Sequence, residues 1–182
     1  MHPILLKSVN LFDPEPKGLC DLFLCGGIVA AVGKSLSPAL PDVEVVDGSG
    51  LTALPGLVDQ HVHFTGGGGE CGFRSRVPEL SLTDFTTAGV TTAVGVLGTD
   101  SATRSPKNLL ARTKALNEEG ITAYCLTGAY DVPSPTVTGS LKDDVAFISE
   151  ILGVKVALSD HRSGHPSLEQ LIHMASQVRL GA

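Results

Sequence analysis

The sequence predicts an α/β chain: a small β-module, then four consecutive strand–helix units. Two observations carry this. From Leu57 onward, apolar strand-like runs alternate with stretches that open on helix start signals, the pattern of βα units with parallel strands and right-handed crossovers. Before that point the chain reads as short strands punctuated by Gly, Pro and Asp. Four such units suit either a small open sheet or the first half of a (β/α)8 TIM-like barrel, whose closed form needs eight units and about 250 residues.

Residues 1–52 form the predicted module. Strands are expected at 5–11, 21–25 and 28–32, the last two flanking Gly26-Gly27, a two-residue hairpin signal. A further strand at 43–46 follows a proline-containing linker and ends at the Asp47-Gly48-Ser49-Gly50 turn. Residues 53–182 form the predicted barrel part, with strands at 57–63, 91–97, 121–127 and 154–158. Helix starts fall between and after them. Ser81 with Asp84, Ser140 with Asp143 and Ser167 with Gln170 carry capping-box spacing, and Ser105 precedes Pro106 at a first helical position. Gly89 and Gly120 stand where helices should stop.

The totals exclude several classes. Lys plus Arg is 13 and Asp plus Glu 19, a net charge of −6 with the cations scattered, so no nucleic-acid partner or anionic membrane is indicated. No apolar run approaches the roughly 18 residues of a membrane span. The start, Met1 to Lys7, has neither a charged region nor a long apolar one, which argues against a secretory leader and leaves the cytoplasm as the expected location. Cys20, Cys25, Cys71 and Cys125 show no C-x-x-C spacing and are expected to be small hydrophobes without a role.

Chemistry concentrates where strands end. The stretch from Gly56 to Thr65 is an apolar strand bearing His61 and His63, which alternation puts on one side, within reach of one metal ion. Gly66 to Gly69 and then Glu70 follow, and the glycines allow backbone to approach a ligand closely. The plainer reading is two satisfied core histidines and a flexible loop. In both candidate architectures ligands sit at the carboxyl ends of strands. Those ends supply Gly98-Thr99-Asp100, Gly128-Ala129-Tyr130 and Ser159-Asp160-His161-Arg162. Lys155 lies in an otherwise apolar run. It is either an edge lysine that blunts aggregation or an amine held neutral by burial and a nearby metal.

These segments carry a resemblance. Asp59-Gln60-His61-Val62-His63 with Gly66 to Glu70, Gly95 to Ser101, Ala115 to Gly120, Leu126 to Tyr130, Gly153-Val154-Lys155 and Ser159 to Ser163 together resemble the isoaspartyl (β-aspartyl) dipeptidase family of the amidohydrolase superfamily. The match spans essentially the whole chain and corresponds to about the family's N-terminal half. It implies a metallo-dipeptidase: a distorted (β/α)8 barrel behind a β-sandwich module, holding two zinc ions. His61 and His63 would ligate one zinc, and Lys155, carboxylated by carbon dioxide, would bridge both. A bridging hydroxide would attack the side-chain amide of a β-aspartyl dipeptide. Tyr130 would donate to the developing oxyanion, Glu70 would hold the substrate ammonium and Arg162 a carboxylate. Gly68 backbone and the Thr99 hydroxyl would help seat the aspartyl part. The resemblance also implies a homo-oligomer for the full-length family.

The family's second half supplies two further histidine ligands, an aspartate that shuttles the proton and the rest of the sandwich. His161, His165 and His173 are not obvious substitutes for these. The chain is therefore expected to be a truncated N-terminal part with an incomplete sandwich, a bare edge strand and little or no activity of its own. Two other readings stand beside this one. One is an amidohydrolase acting on a cyclic amide, of the dihydroorotase or hydantoinase type; the other is a non-catalytic half-barrel that binds metal.

Overall fold

The computed structural model describes residues 2–182. The chain divides into two compact units, Met1–Pro55 and Gly56–Ala182.

The first unit is a five-stranded sheet built from β1 (Ile4–Asp13), β2 (Glu15–Cys25), β3 (Ile28–Gly33), β4 (Glu44–Asp47) and β5 (Thr52–Ala53). Its path runs β3-β2-β1-β4, with β5 alongside β1. Gly26 and Gly27 take φ of 62° and 81° in the β2–β3 turn, the paired positive angles of a type I′ hairpin. β1 shifts register between Leu6 and Val9. There Ser8 adopts φ 61°, and its N–H donates to the buried Asp21 carboxylate at 2.9 Å. Val9, Leu11 and Leu22 make the small core. Ile28, Val29, Val32 and Val45 remain exposed.

The second unit holds β6 (Leu57–Val62), α1 (Leu82–Thr86), β7 (Val90–Gly95), α2 (Pro106–Glu119), β8 (Thr122–Gly128), α3 (Leu141–Phe147), β9 (Ile151–Lys155) and α4 (Leu168–Gly181). The strands lie in chain order, every neighbouring pair parallel. This is the expected α/β arrangement of a partial barrel.

Local chemistry explains the helix starts. Capping boxes are formed by Ser81 with Asp84 and by Ser167 with Gln170. Ser105 accepts from Asn108 N–H ahead of Pro106, and Ser140 accepts from Asp143 N–H. Gly120 ends α2 in the left-handed region, where a side chain would be strained. One strand sits elsewhere than expected. The 154–158 strand is β9 at Ile151–Lys155, so Lys155 is its last residue and lies at the carboxyl end.

Burial alternates along β8, with Ala123, Cys125 and Thr127 buried against the helices. The core lies on that side, from Phe64, Phe85, Ala93, Leu97, Leu109, Leu116, Ala123, Cys125 and Ile151. Burial pushes the Cys125 thiol up to about 11, consistent with a small apolar filler. Phe64 is fully buried, and a Cβ on Gly95 would come within 2.4 Å of its ring and 3.0 Å of Leu109. Gly95→Ala should therefore cost about 1–3 kcal/mol and lower the melting temperature by roughly 5 °C. A calorimetric scan checks this, and an unchanged transition would mean that Phe64 has room to move.

No helix among the described residues is long and apolar enough to cross a membrane.

Candidate functional site

Each strand of the second unit delivers side chains to its carboxyl end. β6 stops at Val62, and His63 follows directly. Asp59 caps the His61 N–H at 3.0 Å, and the two imidazole rings lie 5.5 Å apart at 67°. His63 is half-buried, and its Nδ1 is enclosed without a hydrogen-bond partner among the described residues. A Cβ on Gly98 would come within 2.9 Å of the same ring, so the glycine of the β7 end makes room for it. Burial first, then the charge of His61, holds the His63 imidazole below its ordinary range, with Lys155 and Arg104 adding to the effect. That favours the neutral ring, the form that binds metal. Burial likewise lowers the Lys155 ammonium from its ordinary value, which favours a free amine.

Two imidazoles with an enclosed, unpartnered nitrogen are a fair start on a metal site. Yet no group of three or more His, Cys, Asp or Glu among the described residues is placed to hold an ion. The residues fit a metal as part of a donor set, not as the whole of one.

Beyond the histidines, polar contacts run from loop to loop. Thr99 Oγ1 after β7 donates to Glu70 Oε1 at 3.0 Å, and Arg162 Nη1 after β9 donates to the same oxygen at 2.9 Å. Arg162 and Lys155 both face the Tyr130 ring, at 6.0 and 5.9 Å from its centroid. Gly164 N–H donates to Tyr130 carbonyl at 2.7 Å, joining the loops after β8 and β9. The Glu70 carboxyl is held below its usual range by its own backbone N–H and then the Thr99 hydroxyl, with a smaller contribution from Arg162. It is an anion at neutral pH. Gly68 has φ 73°, and a Cβ there would stand 2.4 Å from Ser75 carbonyl, so this position requires glycine. Gly68, Glu70, Thr99 and Arg162 line a cleft of about 270 Å³ together with Arg76 and Asp100.

The fork of Arg162 is already engaged. Its Nε and Nη2 donate to the two oxygens of Asp160 at 2.9 and 2.8 Å, which leaves Nη1 as the edge turned toward Glu70. Asp160, Arg76, Asp100 and Arg104 have places in this arrangement that sequence reasoning gave no role. For Asp100 and Asp160 a signal existed, since both stand at strand ends.

No family model matches the chain. The β-aspartyl dipeptidase of Fervidobacterium islandicum AW-1, solved with β-Asp-Leu, is 44% identical with a TM-score of 0.91, over 98% of this chain and 47% of that one. Imidazolonepropionase of Colwellia psychrerythraea is 30% identical over 143 residues, 68% of this chain and 33% of that protein. Dihydroorotase of Syntrophus aciditrophicus is 38% identical over 63 residues, 34% of this chain and 15% of that protein. These matches, 44% identity over 98% of this chain and 30% over 68% of it, identify the chain as a member of the amidohydrolase superfamily. Within it the resemblance runs to β-aspartyl dipeptidase, and the chain spans about half the length of that enzyme.

Proposed function

We propose that this chain carries one part of the site of a zinc-dependent β-aspartyl dipeptidase. The observation that carries the reading is the Thr99–Glu70–Arg162 contact, which gathers one carboxylate and one guanidinium from three strand-end loops into one cleft. A dipeptide with a free ammonium and a free carboxylate matches that pair of charges. The 44% identity to an enzyme solved with β-Asp-Leu supports the same substrate class.

In this reading Glu70 takes the substrate ammonium, and Thr99 keeps the carboxylate oriented. The Nη1 edge of Arg162, which here donates to Glu70, turns to a substrate carboxylate, with Asp160 fixing the guanidinium plane. Gly68 offers backbone at close range. Tyr130, which faces the Arg162 guanidinium, donates a hydrogen bond to the oxygen that becomes negative. His61, His63 and Lys155, carboxylated by carbon dioxide, would hold the metal, which when bound supplies an acidified water and a polarised carbonyl. The chain by itself turns over little substrate, because its own donors are an incomplete set and its sheet edges are bare. We place the protein in the cytoplasm, with small dipeptides as substrates and no nucleic acid or membrane partner. The 1–52 module is read as part of a sandwich, residues 53–182 as half of a barrel, and the full-length enzyme as a homo-oligomer.

The test is calorimetric titration and hydrolysis of β-Asp-Leu by the chain, supplied with zinc and bicarbonate. Binding weakened about tenfold by Glu70→Gln, the size of one lost charge-assisted hydrogen bond, with negligible turnover, is the expected result. Turnover that vanishes in Lys155→Ala and His61→Ala would instead mean that a second copy completes the donor set. The local match to dihydroorotase favours a second reading, a cyclic-amide hydrolase. Binding of dihydroorotate with none of β-Asp-Leu would establish that one.

A further inference from the structure

The loop between β6 and α1 carries Glu70, and its two ends converge on one side chain. Arg104 precedes α2 on the loop after β7, and its side chain is only 6% exposed. Its Nε donates to Thr65 carbonyl at 2.6 Å, and its Nη2 to Val77 carbonyl at 3.0 Å. Thr65 and Val77 bracket the glycine-rich segment. The third nitrogen, Nη1, contacts Asp100 Oδ2. Asp100 in turn receives Arg76 Nε at 3.2 Å and the Thr103 hydroxyl at 2.7 Å. Arg76 belongs to the same loop, bridged in antiparallel fashion to Gly68.

A loop tie alone does not call for a buried cation, because a hydroxyl or amide can bond a carbonyl at far lower desolvation cost. Here the planar guanidinium meets three acceptors that belong to two loops, a geometry no point charge on a flexible stem reproduces. Those two loops are the ones that meet again at the Thr99–Glu70 hydrogen bond, and Thr99 is the residue before Asp100. Fixing Thr65, Val77 and Asp100 therefore fixes Glu70 against Thr99. With glycines at 66 to 69, that span has little stiffness of its own.

We propose that Arg104 is a positioning residue for substrate recognition, clamping both ends of the glycine-rich loop so that Glu70 is held beside Thr99 and Arg162 for the ammonium of a zwitterionic dipeptide. This rests on the assignment of Glu70 to the ammonium.

The test uses the full chain with Arg104→Lys and Arg104→Ala, reading amide hydrogen exchange by segment and β-Asp-Leu affinity by calorimetry. Both variants should exchange about tenfold faster in residues 66–76 and bind the dipeptide about tenfold more weakly, with α2 and β8 exchanging as before. Ethylguanidinium, which fits the space left by Arg104→Ala, should restore both readouts in that variant and in no other. Unchanged loop exchange in Arg104→Ala would overturn the proposal, as would acceleration spread evenly over the second unit, the mark of plain destabilisation. A wild-type chain that fails to bind β-Asp-Leu removes the dipeptide reading. The loop-confined exchange and its guanidinium rescue then decide the clamp by themselves.

Discussion

Alanine in place of Asp144 is expected to cost about 3–5 kcal/mol of stability, the largest loss of any single side chain outside the apolar core. Asp144 is fully buried in α3, yet it has no cationic partner among the described residues. Its charge is carried by donors instead. Oδ2 accepts from the Thr127 hydroxyl at 2.5 Å and Val137 N–H at 2.9 Å; Oδ1 accepts from Thr138 N–H at 2.8 Å and the Thr138 hydroxyl at 2.6 Å. Alanine would leave these donors facing a hole. Burial by itself would raise the Asp144 carboxyl, and the hydrogen bonds from Thr127, Thr138 and Val137 more than offset it, so the group is held below its ordinary value. A lowered folded value fixes the sign. The contribution is full above the unfolded carboxylate's pKa of about 3.9 and fades as pH falls below it toward the folded one. Urea melts at pH 7 should therefore separate wild type from Asp144→Ala widely, with the gap closing in acid. Asn should lose less, since its amide oxygen can keep both Thr138 donors while its NH₂ faces Val137 N–H. A pH-independent gap, or a loss under about 1 kcal/mol, would show that the donors find water and that the carboxylate is not the anchor.

The same contacts matter to the site. Asp144 ties Thr127, the residue before Gly128-Ala129-Tyr130, to the far end of the β8–α3 loop, and Gly128 N–H adds a bond to Pro135 carbonyl at 3.0 Å. Tyr130 thus rests on a loop pinned from beneath, so Asp144→Ala should loosen Tyr130 as well as the core.

Nothing in the local sequence announces this carboxylate. Asp143 and Asp144 stand side by side after Ser140, and the capping rule draws the eye to Asp143. Which of the two is buried depends on where β8 and the loop run, a matter of tertiary structure. Arg104 escaped for the same reason, because two of its three acceptors are carbonyls 39 and 27 residues away. What the sequence did reveal is local. The four helix starts depend on contacts within three residues, and the β2–β3 turn depends on two glycines. Hydrophobic runs located the parallel strands but not their limits. From Ile151 to Leu158 the chain is apolar apart from Gly153 and Lys155, so periodicity alone cannot place β9. Pairing places it, since Ile151 aligns with Cys125 and Lys155 with Gly128. The first half of β2 was missed outright, because Pro16 and Gly18 disguise residues that pair with β1. At the candidate site, the strand-end rule points to Glu70, Thr99, Tyr130 and Arg162, whereas Lys155 stands out only as a charge in an apolar run. It could not reveal that Asp160 occupies the fork of Arg162, which is a question of rotamers.

The second large effect concerns the histidines. Zinc titrated into the chain should bind weakly, and His63→Ala should weaken it further by at least about 100-fold, more than any second-sphere change would. A half-buried imidazole with an enclosed Nδ1 and no partner for it among the described residues is a desolvated polar group left uncompensated. Metal ligation would repay it by engaging the ring, and the neighbouring His61 ring at 5.5 Å supplies a second donor. His61 is exposed and its backbone is capped by Asp59, so it pays less to remain unligated, and His61→Ala should cost less affinity than His63→Ala. Cobalt in place of zinc gives the readout, because its visible spectrum reports ligand type and number. If His63→Ala binds as wild type does while His61→Ala does not, the metal sits on the solvent side of the strand end. The enclosed nitrogen of His63 would then serve packing against Gly98, and the half-site assigned to this chain would shrink to one exposed histidine.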